Sequence, residues 1–281
     1  MKEQQIMANE FGLDYEQIEQ KAKEIRKKII MMNSRAGQGH TGADLSETDI
    51  LSSLFFRILN TNKQHLSDPD RDRFILSKGH GVGGFYCMLA EAGYIDESDL
   101  ETYLQFDSKL PGHPVRQKTP GVELNTGALG HGLPVGVGLA LSAKMSGRKF
   151  RVFVLTGDGE LQEGSVWEAA MCAAHFKLDN LIIIVDRNTL QLADRTEKIM
   201  ALEPLTDKWK AFGCDVHETD GNDAAKFVET VEGLNLQNGK PHVVIAKTIK
   251  GKGVSFIEDQ PAWHHKIPVG DEIALAIEEL E

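Results

Sequence analysis

The sequence predicts an α/β fold, a mainly parallel sheet with helices on both faces, from three observations. Apolar runs of strand length alternate with longer helical segments along the 281 residues, and that alternation favours crossover connections and a doubly covered sheet. Two of the runs, residues 152–156 and 181–185, flank one helix-length segment and end in polar turns, Gly157-Asp158-Gly159 and Asp186-Arg187-Asn188. A right-handed crossover makes them parallel, so Asp158 and Asn188, 30 residues apart, emerge together at the carboxyl edge, where such sheets collect ligands.

In chain order, residues 15–32 read as a helix. Its Lys21, Lys23, Arg26, Lys27 and Lys28 are interspersed with Glu16, Glu19 and Glu24, and the i,i+4 pairs Glu19/Lys23 and Glu24/Lys28 predict a solvated face. A glycine-rich turn then holds His40, and a second helix is expected over 46–59. Residues 74–77 form a strand, and Lys78-Gly-His-Gly-Val-Gly-Gly84 turns into another helix. Its backbone N–H groups, with His80, are candidates to meet phosphate. Residues 131–145 read as a helix packed through Gly136, Gly138, Ala140 and Ala143. The segment 163–175 has helical composition and no interior proline. Residues 215–219 and 242–248 are strand-like, and residues 269–281 end in an acidic amphipathic helix.

Composition narrows the function classes. With 41% hydrophobic and 26% charged residues, the chain can bury a large core as one domain spanning 1–281, residues 1–14 being an N-terminal extension. A net charge of −11 argues against nucleic acid or an anionic membrane as partner. No apolar signal region or run of about 18 apolar residues is present, so a cytoplasmic protein is expected. Cys87, Cys172 and Cys214 lack metal-ligand spacing. His65, His175, His217 and His242 read as ordinary surface or core residues.

Asp158 and Asn188 carry the chemistry. A carboxylate, an amide oxygen and a nearby main-chain carbonyl suit Mg²⁺ or Ca²⁺ rather than zinc, and Mg²⁺ completes its shell with water and phosphate oxygens. A Gly-Asp-Gly triplet alone is an ordinary tight turn. The helix and Asn188 that follow make it the first half of a diphosphate clamp.

The segment GDGELQEGSVWEAAMCAAHFKLDNLIIIVDRN resembles the thiamine-diphosphate signature of transketolases. The resemblance continues through Gly39-His-Thr-Gly42, Arg71 to Gly81, Pro111-Gly-His-Pro114, Thr126 to Gly132, Lys247-Thr-Ile-Lys-Gly-Lys-Gly253 and Trp263-His264, about residues 15 to 268. It implies the diphosphate-binding (PP) type of thiamine-diphosphate fold, with thiamine diphosphate held by His80, Gly127, Leu129, Gly159, Asn188, Lys250 and His264. It gives Mg²⁺, with Ca²⁺ or Mn²⁺ as compatible substitutes, to Asp158, Asn188 and the carbonyl of Leu190. His40, His113, His80 and His264 would serve substrate and proton transfer.

The implied reaction moves a two-carbon ketol unit from a ketose phosphate to an aldose, with xylulose 5-phosphate the default donor. The pyrimidine-binding and C-terminal domains of a whole transketolase are expected on a separate chain, so the sequence resembles the N-terminal subunit of a split enzyme, inactive alone and working in an α2β2 heterotetramer. Glu163 and Glu168 are candidates for the partner interface, or plain surface charges. Thr41 and Ala128 stand where proline is frequent, and His131 where glutamine often occurs, which leaves the sugar open to a branched or sulfonated alternative. Other readings remain: an alpha subunit of a 2-oxo-acid dehydrogenase, which accounts for Asp158 and Asn188 alone; a 1-deoxyxylulose-phosphate synthase; and a non-catalytic scaffold that retains the cofactor.

Overall fold

The computed structural model describes residues 9, 11–192 and 194–281; most of the expected extension over 1–14 lies outside them. Helix α1 (Tyr15–Ala36) begins with an Asp14–Gln17 capping box and ends at Gly37 in the left-handed region, φ 68°, so its bounds are chemical as well as periodic. Among the described residues neither expected i,i+4 pair, Glu19/Lys23 nor Glu24/Lys28, forms. Lys21 turns to Glu24 and Glu91, and Lys28 to Glu91 and Glu97, because Glu91 ends the helix packed alongside. Buried Arg26 pairs with Asp49.

The expected second helix starts earlier, as α2 (Thr41–Ser46) and α3 (Thr48–Ser53), and continues as a wide π-turn over Leu54–Ile58. The His40 carbonyl accepts from Ala43 and Asp44 N–H at 2.9 and 3.0 Å, which nucleates the helix at the glycine-rich turn. Then come β1 (Arg73–Leu76), α4 (Val82–Glu91), α5 (Gly132–Met145), β2 (Val152–Gly157), α6 (Gly164–His175) and β3 (Leu181–Arg187). A small hairpin, β4 (Leu190–Gln191) and β5 (Asp194–Arg195), leads to α7 (Thr196–Ile199), α8 (Leu205–Ala211), β6 (Asp215–Asp220), α9 (Ala224–Glu232), β7 (His242–Lys247) and α10 (Asp271–Glu279).

The main sheet has five strands in the order β1-β2-β3-β7-β6, every pairing parallel. Alternate residues of one strand feed two cores. Phe153, Leu155, Ile182, Ile184 and Val244 pack toward the layer of α1, α3, α4 and α9, while Val152, Val154, Ile183 and Val243 face α5 and α6. That two-sided burial explains the nearly continuous apolar runs in β2 and β3. Helix α5 lies close on the sheet because Gly136 has no side chain; a Cβ there would come 2.5 Å from Val154 Cγ2.

Candidate active site

The register sets Gly157 beside Asp186, so the turns after β2 and β3 leave the sheet together and bring Asp158 next to Asn188. Asp158 Oδ1 accepts from Gly159 N–H at 2.7 Å, and Oδ2 accepts from Thr189 N–H at 2.7 Å and Arg187 Nη1 at 3.1 Å. Burial, then the charge of Asp186, lifts the Asp158 carboxyl to about 6, against the pull of Arg187. Asn188 Oδ1 accepts from Leu190 N–H at 3.1 Å, while its Nδ2 donates to Asp186 Oδ2 at 3.1 Å, which fixes the direction of the amide. Thr189 between them has φ 66°, a strained conformation for a non-glycine residue that folds the chain back onto Asp158. A carboxylate raised by burial beside an oriented amide oxygen fits a hard cation, which would return the carboxylate to its charged form.

Lys250 follows β7 at the same edge. It is 3% exposed, and its Nζ lies 2.7 Å from His264 Nδ1. Among the described residues no carboxylate is paired with it. Burial, and then the nearby charge of Lys78, brings it down to about 8. A buried ammonium without a paired carboxylate fits an anionic group such as a diphosphate, which would restore its charge. Gly42 makes the room: a Cβ there would stand 3.1 Å from the Lys250 side chain and 3.0 Å from the Trp263 carbonyl.

Four imidazoles crowd beside it. The His40 ring centroid is 5.3 Å from that of His80, 5.8 Å from His264 and 4.5 Å from His265, and His80 lies 5.6 Å from His264. Burial lowers His40 to about 4 and His264 to about 3, helped by His265 and Lys250, and takes His80 well below the usual histidine range. At neutral pH these rings are uncharged, and one with a free ring nitrogen can accept a hydroxyl proton. His113 is exposed and packs on Gly127, where φ is 143° and a Cβ would come 2.9 Å from the ring, and it is near enough for its charge to act on His40. Leu129 is half-buried, its carbonyl 2.9 Å from His131 Nδ1. A Cβ on Gly159 would meet Gln191 at 2.9 Å.

Several expectations change. The turn after β1 does not offer a row of free N–H groups: Gly79 donates to the Ser77 carbonyl, Gly81 to that of Lys78, and Gly84 to Asp44 Oδ1 at 3.0 Å. A buried carboxylate already caps α4, so a phosphate has little to gain there. Thr41 is buried and accepts from Asn33 Nδ2 at 3.2 Å, which makes it a support for His40. Glu163 and Glu168 are both exposed.

The residues that organise the site from below carried no local signal. Lys78 bridges Glu47 at 2.8 Å and Asp186 at 2.5 Å, all three buried, and Asp186 also accepts from Ser46 and Thr248 hydroxyls. Glu160 gathers three separate segments: it accepts from Ser77 Oγ, from Gly130 N–H at 2.9 Å and from Gly157 N–H at 3.0 Å. These are partners far apart in sequence, set in apolar or glycine-rich surroundings. His265 is the simpler omission, since it directly follows His264.

The family described as transketolase, thiamine diphosphate binding domain, matches residues 18–280. The chain belongs to the transketolase family. Membership decides against the 2-oxo-acid dehydrogenase reading of Asp158 and Asn188. The chain is 62% identical over 274 residues to an apulose-4-phosphate transketolase subunit of Actinobacillus succinogenes, covering 97% of this chain and 99% of that protein. It is 38% identical to a 6-deoxy-6-sulfo-D-fructose transketolase subunit of a Clostridium species, covering 94% and 96%. The crystal structure of transketolase from Campylobacter jejuni superposes with a TM-score of 0.89 at 32% identity, over 95% of this chain and 43% of that one. The diphosphate-binding type of α/β fold and a thiamine-diphosphate domain are thereby shown, and the chain spans about two-fifths of that solved transketolase.

Proposed function

We propose that this chain is the diphosphate-binding subunit of a split transketolase, transferring a two-carbon ketol unit from a ketose phosphate to an aldose. The observation that carries the reading is the meeting, at one sheet edge, of the Asp158–Asn188 oxygen pair, the buried Lys250 ammonium and the neutral imidazoles of His40, His80 and His264. Asp158, Asn188 and the Leu190 carbonyl would hold Mg²⁺, and Lys250 with His80 and His264 would hold the diphosphate, with Gly127, Leu129 and Gly159 shaping the walls. When bound, thiamine diphosphate supplies the nucleophilic carbon and the electron sink for breaking the bond beyond the ketose carbonyl.

The rest is the work of this chain. His40, uncharged at neutral pH, accepts a sugar hydroxyl proton and returns it; His264, whose Nδ1 accepts from the Lys250 ammonium, orients a hydroxyl by donating from Nε2, and His113 completes the sugar side of the site. Lys78, bonded to the Ala43 carbonyl, Glu47 and Asp186, ties the α2–α3 segment that follows His40 to the end of β3, so His40 and the oxygen ligands stay in one geometry through a turnover.

The carboxylate for the aminopyrimidine ring comes, in this proposal, from a partner chain carrying the pyrimidine-binding domain, in an α2β2 assembly. Relatives that are themselves named as transketolase subunits, matched over nearly their whole length, support a two-chain enzyme. Exposed apolar side chains on α5 and α6, Val135, Met145 and Met171, support it too, with Glu163 and Glu168 also exposed; large apolar side chains left on a surface are candidate interaction sites. Apulose 4-phosphate is the proposed donor in preference to xylulose 5-phosphate, on the 62% identity. No described helix is long and apolar enough to cross a membrane, and a cytoplasmic site of action is part of the proposal.

The test is two-carbon transfer from apulose 4-phosphate, xylulose 5-phosphate and a sulfosugar, with Mg²⁺ and thiamine diphosphate, for this chain alone and mixed with its partner. Activity only in the mixture, with two copies of each chain by light scattering, is expected. Turnover by the isolated chain at the rate of the mixture would overturn the split arrangement.

A further inference from the structure

The opposite edge of the sheet carries a second group of metal-ligating side chains. Asp215 opens β6 and lies directly beside His242, which opens β7; His217, two residues on, shares the sheet face of Asp215. Asp215 Oδ1 is 3.4 Å from His217 Nε2, and Oδ2 is 3.3 Å from His242 Nδ1. One donor atom from each residue falls within 4.8 Å of the others.

Both contacts are long, and His217 Nε2 and both ring nitrogens of His242 are buried without a well-formed hydrogen bond, Asp215 acting on the His242 ring chiefly through its charge. A buried unsatisfied ring nitrogen is destabilising and calls for a reason. The grouping supplies one, because three donor atoms within 4.8 Å of one another can close on a single ion by small side-chain rotations, and the 3.4 Å between Asp215 Oδ1 and His217 Nε2 is already the separation that metal bonds of about 2.0–2.1 Å in a tetrahedron give, about 3.3–3.4 Å. Asn238 Nδ2 donates to Asp215 Oδ2 at 2.8 Å, the kind of outer contact that fixes a ligating carboxylate. Burial lowers the pKa of His242, which keeps the ring neutral as a ligand must be. The side chains of Asp215 and His217 are 31% and 36% exposed, so an ion can enter.

We propose that Asp215, His217 and His242 bind a transition-metal dication of the zinc class, which fastens the edge strand β6 to β7 at the end of the strands away from Asp158 and Lys250. Two imidazoles and one carboxylate favour zinc, cobalt or nickel over Mg²⁺, and the remaining position is open to water.

His40, His264 and His265 form another trio within 4.8 Å, so the test uses a His265→Gln background. The purified chain, stripped with a chelator, is titrated with Zn²⁺ alone against a chromogenic competitor. One ion per chain and a raised Tm are expected, and adding His217→Gln should weaken binding at least tenfold and abolish the Tm rise. His217 is chosen because it lies partly exposed on an edge strand, where glutamine leaves the core intact. Zinc-edge anomalous scattering from a soaked crystal should place the ion among the three side chains. Binding unchanged by His217→Gln, an ion placed elsewhere, or no zinc bound would each overturn the proposal.

Discussion

At Lys250 burial and the charge of Lys78 act in the same direction, both favouring loss of the proton, and His264 Nδ1 lies 2.7 Å from its Nζ. Such a side chain gains more from an arriving anion than a solvated lysine would, because the anion meets a charge that is already desolvated. Lys250→Met keeps the length and removes the charge. Calorimetry on the two-chain complex with Mg²⁺ should show thiamine diphosphate bound at least tenfold more weakly, and an unchanged affinity would remove Lys250 from the diphosphate grip. Asp158→Asn makes a different loss, since it leaves the shape of the turn and takes the anionic donor. The Mg²⁺ concentration that half-saturates cofactor binding should rise more than tenfold, which a titration followed by tryptophan fluorescence would measure.

Elements show what could be read beforehand and what could not. The ends of β2 and β3 were legible because a parallel register converts a local pattern, apolar run then polar turn, into a spatial meeting of Asp158 and Asn188. Lys78 and Asp186 were not, although their pairing holds the same edge: they are 108 residues apart, Lys78 lying in the turn after β1 and Asp186 inside an apolar strand, where a buried polar residue has no periodicity to expose it. The start of α2 was missed because His40 nucleates it through its carbonyl, a backbone act without a side-chain signature. Of the small residues on α5 read as a packing device, Gly136, Ala140 and Ala143 are buried and Gly138 faces open space, and Gly136 gives the reading a number. Gly136→Ala puts a Cβ 2.5 Å from Val154 Cγ2, so α5 must lift or the strand must shift; about 1–3 kcal/mol of stability should be lost. Gly138, with nothing within 4 Å, is the control on the same helix, and urea unfolding of the two alanine variants should separate them.

Across the whole molecule the site's buried charges tie folding to pH, and Glu47 gives the tie a direction. One ammonium, Lys78, faces two carboxylates, Glu47 and Asp186. Asp186 also accepts two hydroxyl hydrogen bonds and is held below the usual carboxylate range despite its burial. Glu47 has no such donors; burial, against the opposing charge of Lys78, pushes it from 4.5 up to about 8. Between those values the folded protein keeps a proton that the unfolded chain has released. Stability from this group is therefore lost as pH rises through the window, by at most about 1.4 kcal/mol per pH unit for one proton. The histidines held neutral act oppositely, drawing stability down as pH falls below 6.5. Glu47→Gln fixes the uncharged form and leaves the histidines alone, so their effect cancels when wild type and variant are compared. The wild-type advantage in urea-unfolding free energy should fall steadily from about pH 5 to about pH 8 and then level. A difference that stays flat would mean that Glu47 is ionised in the folded protein and that Lys78 is shared between two charged carboxylates.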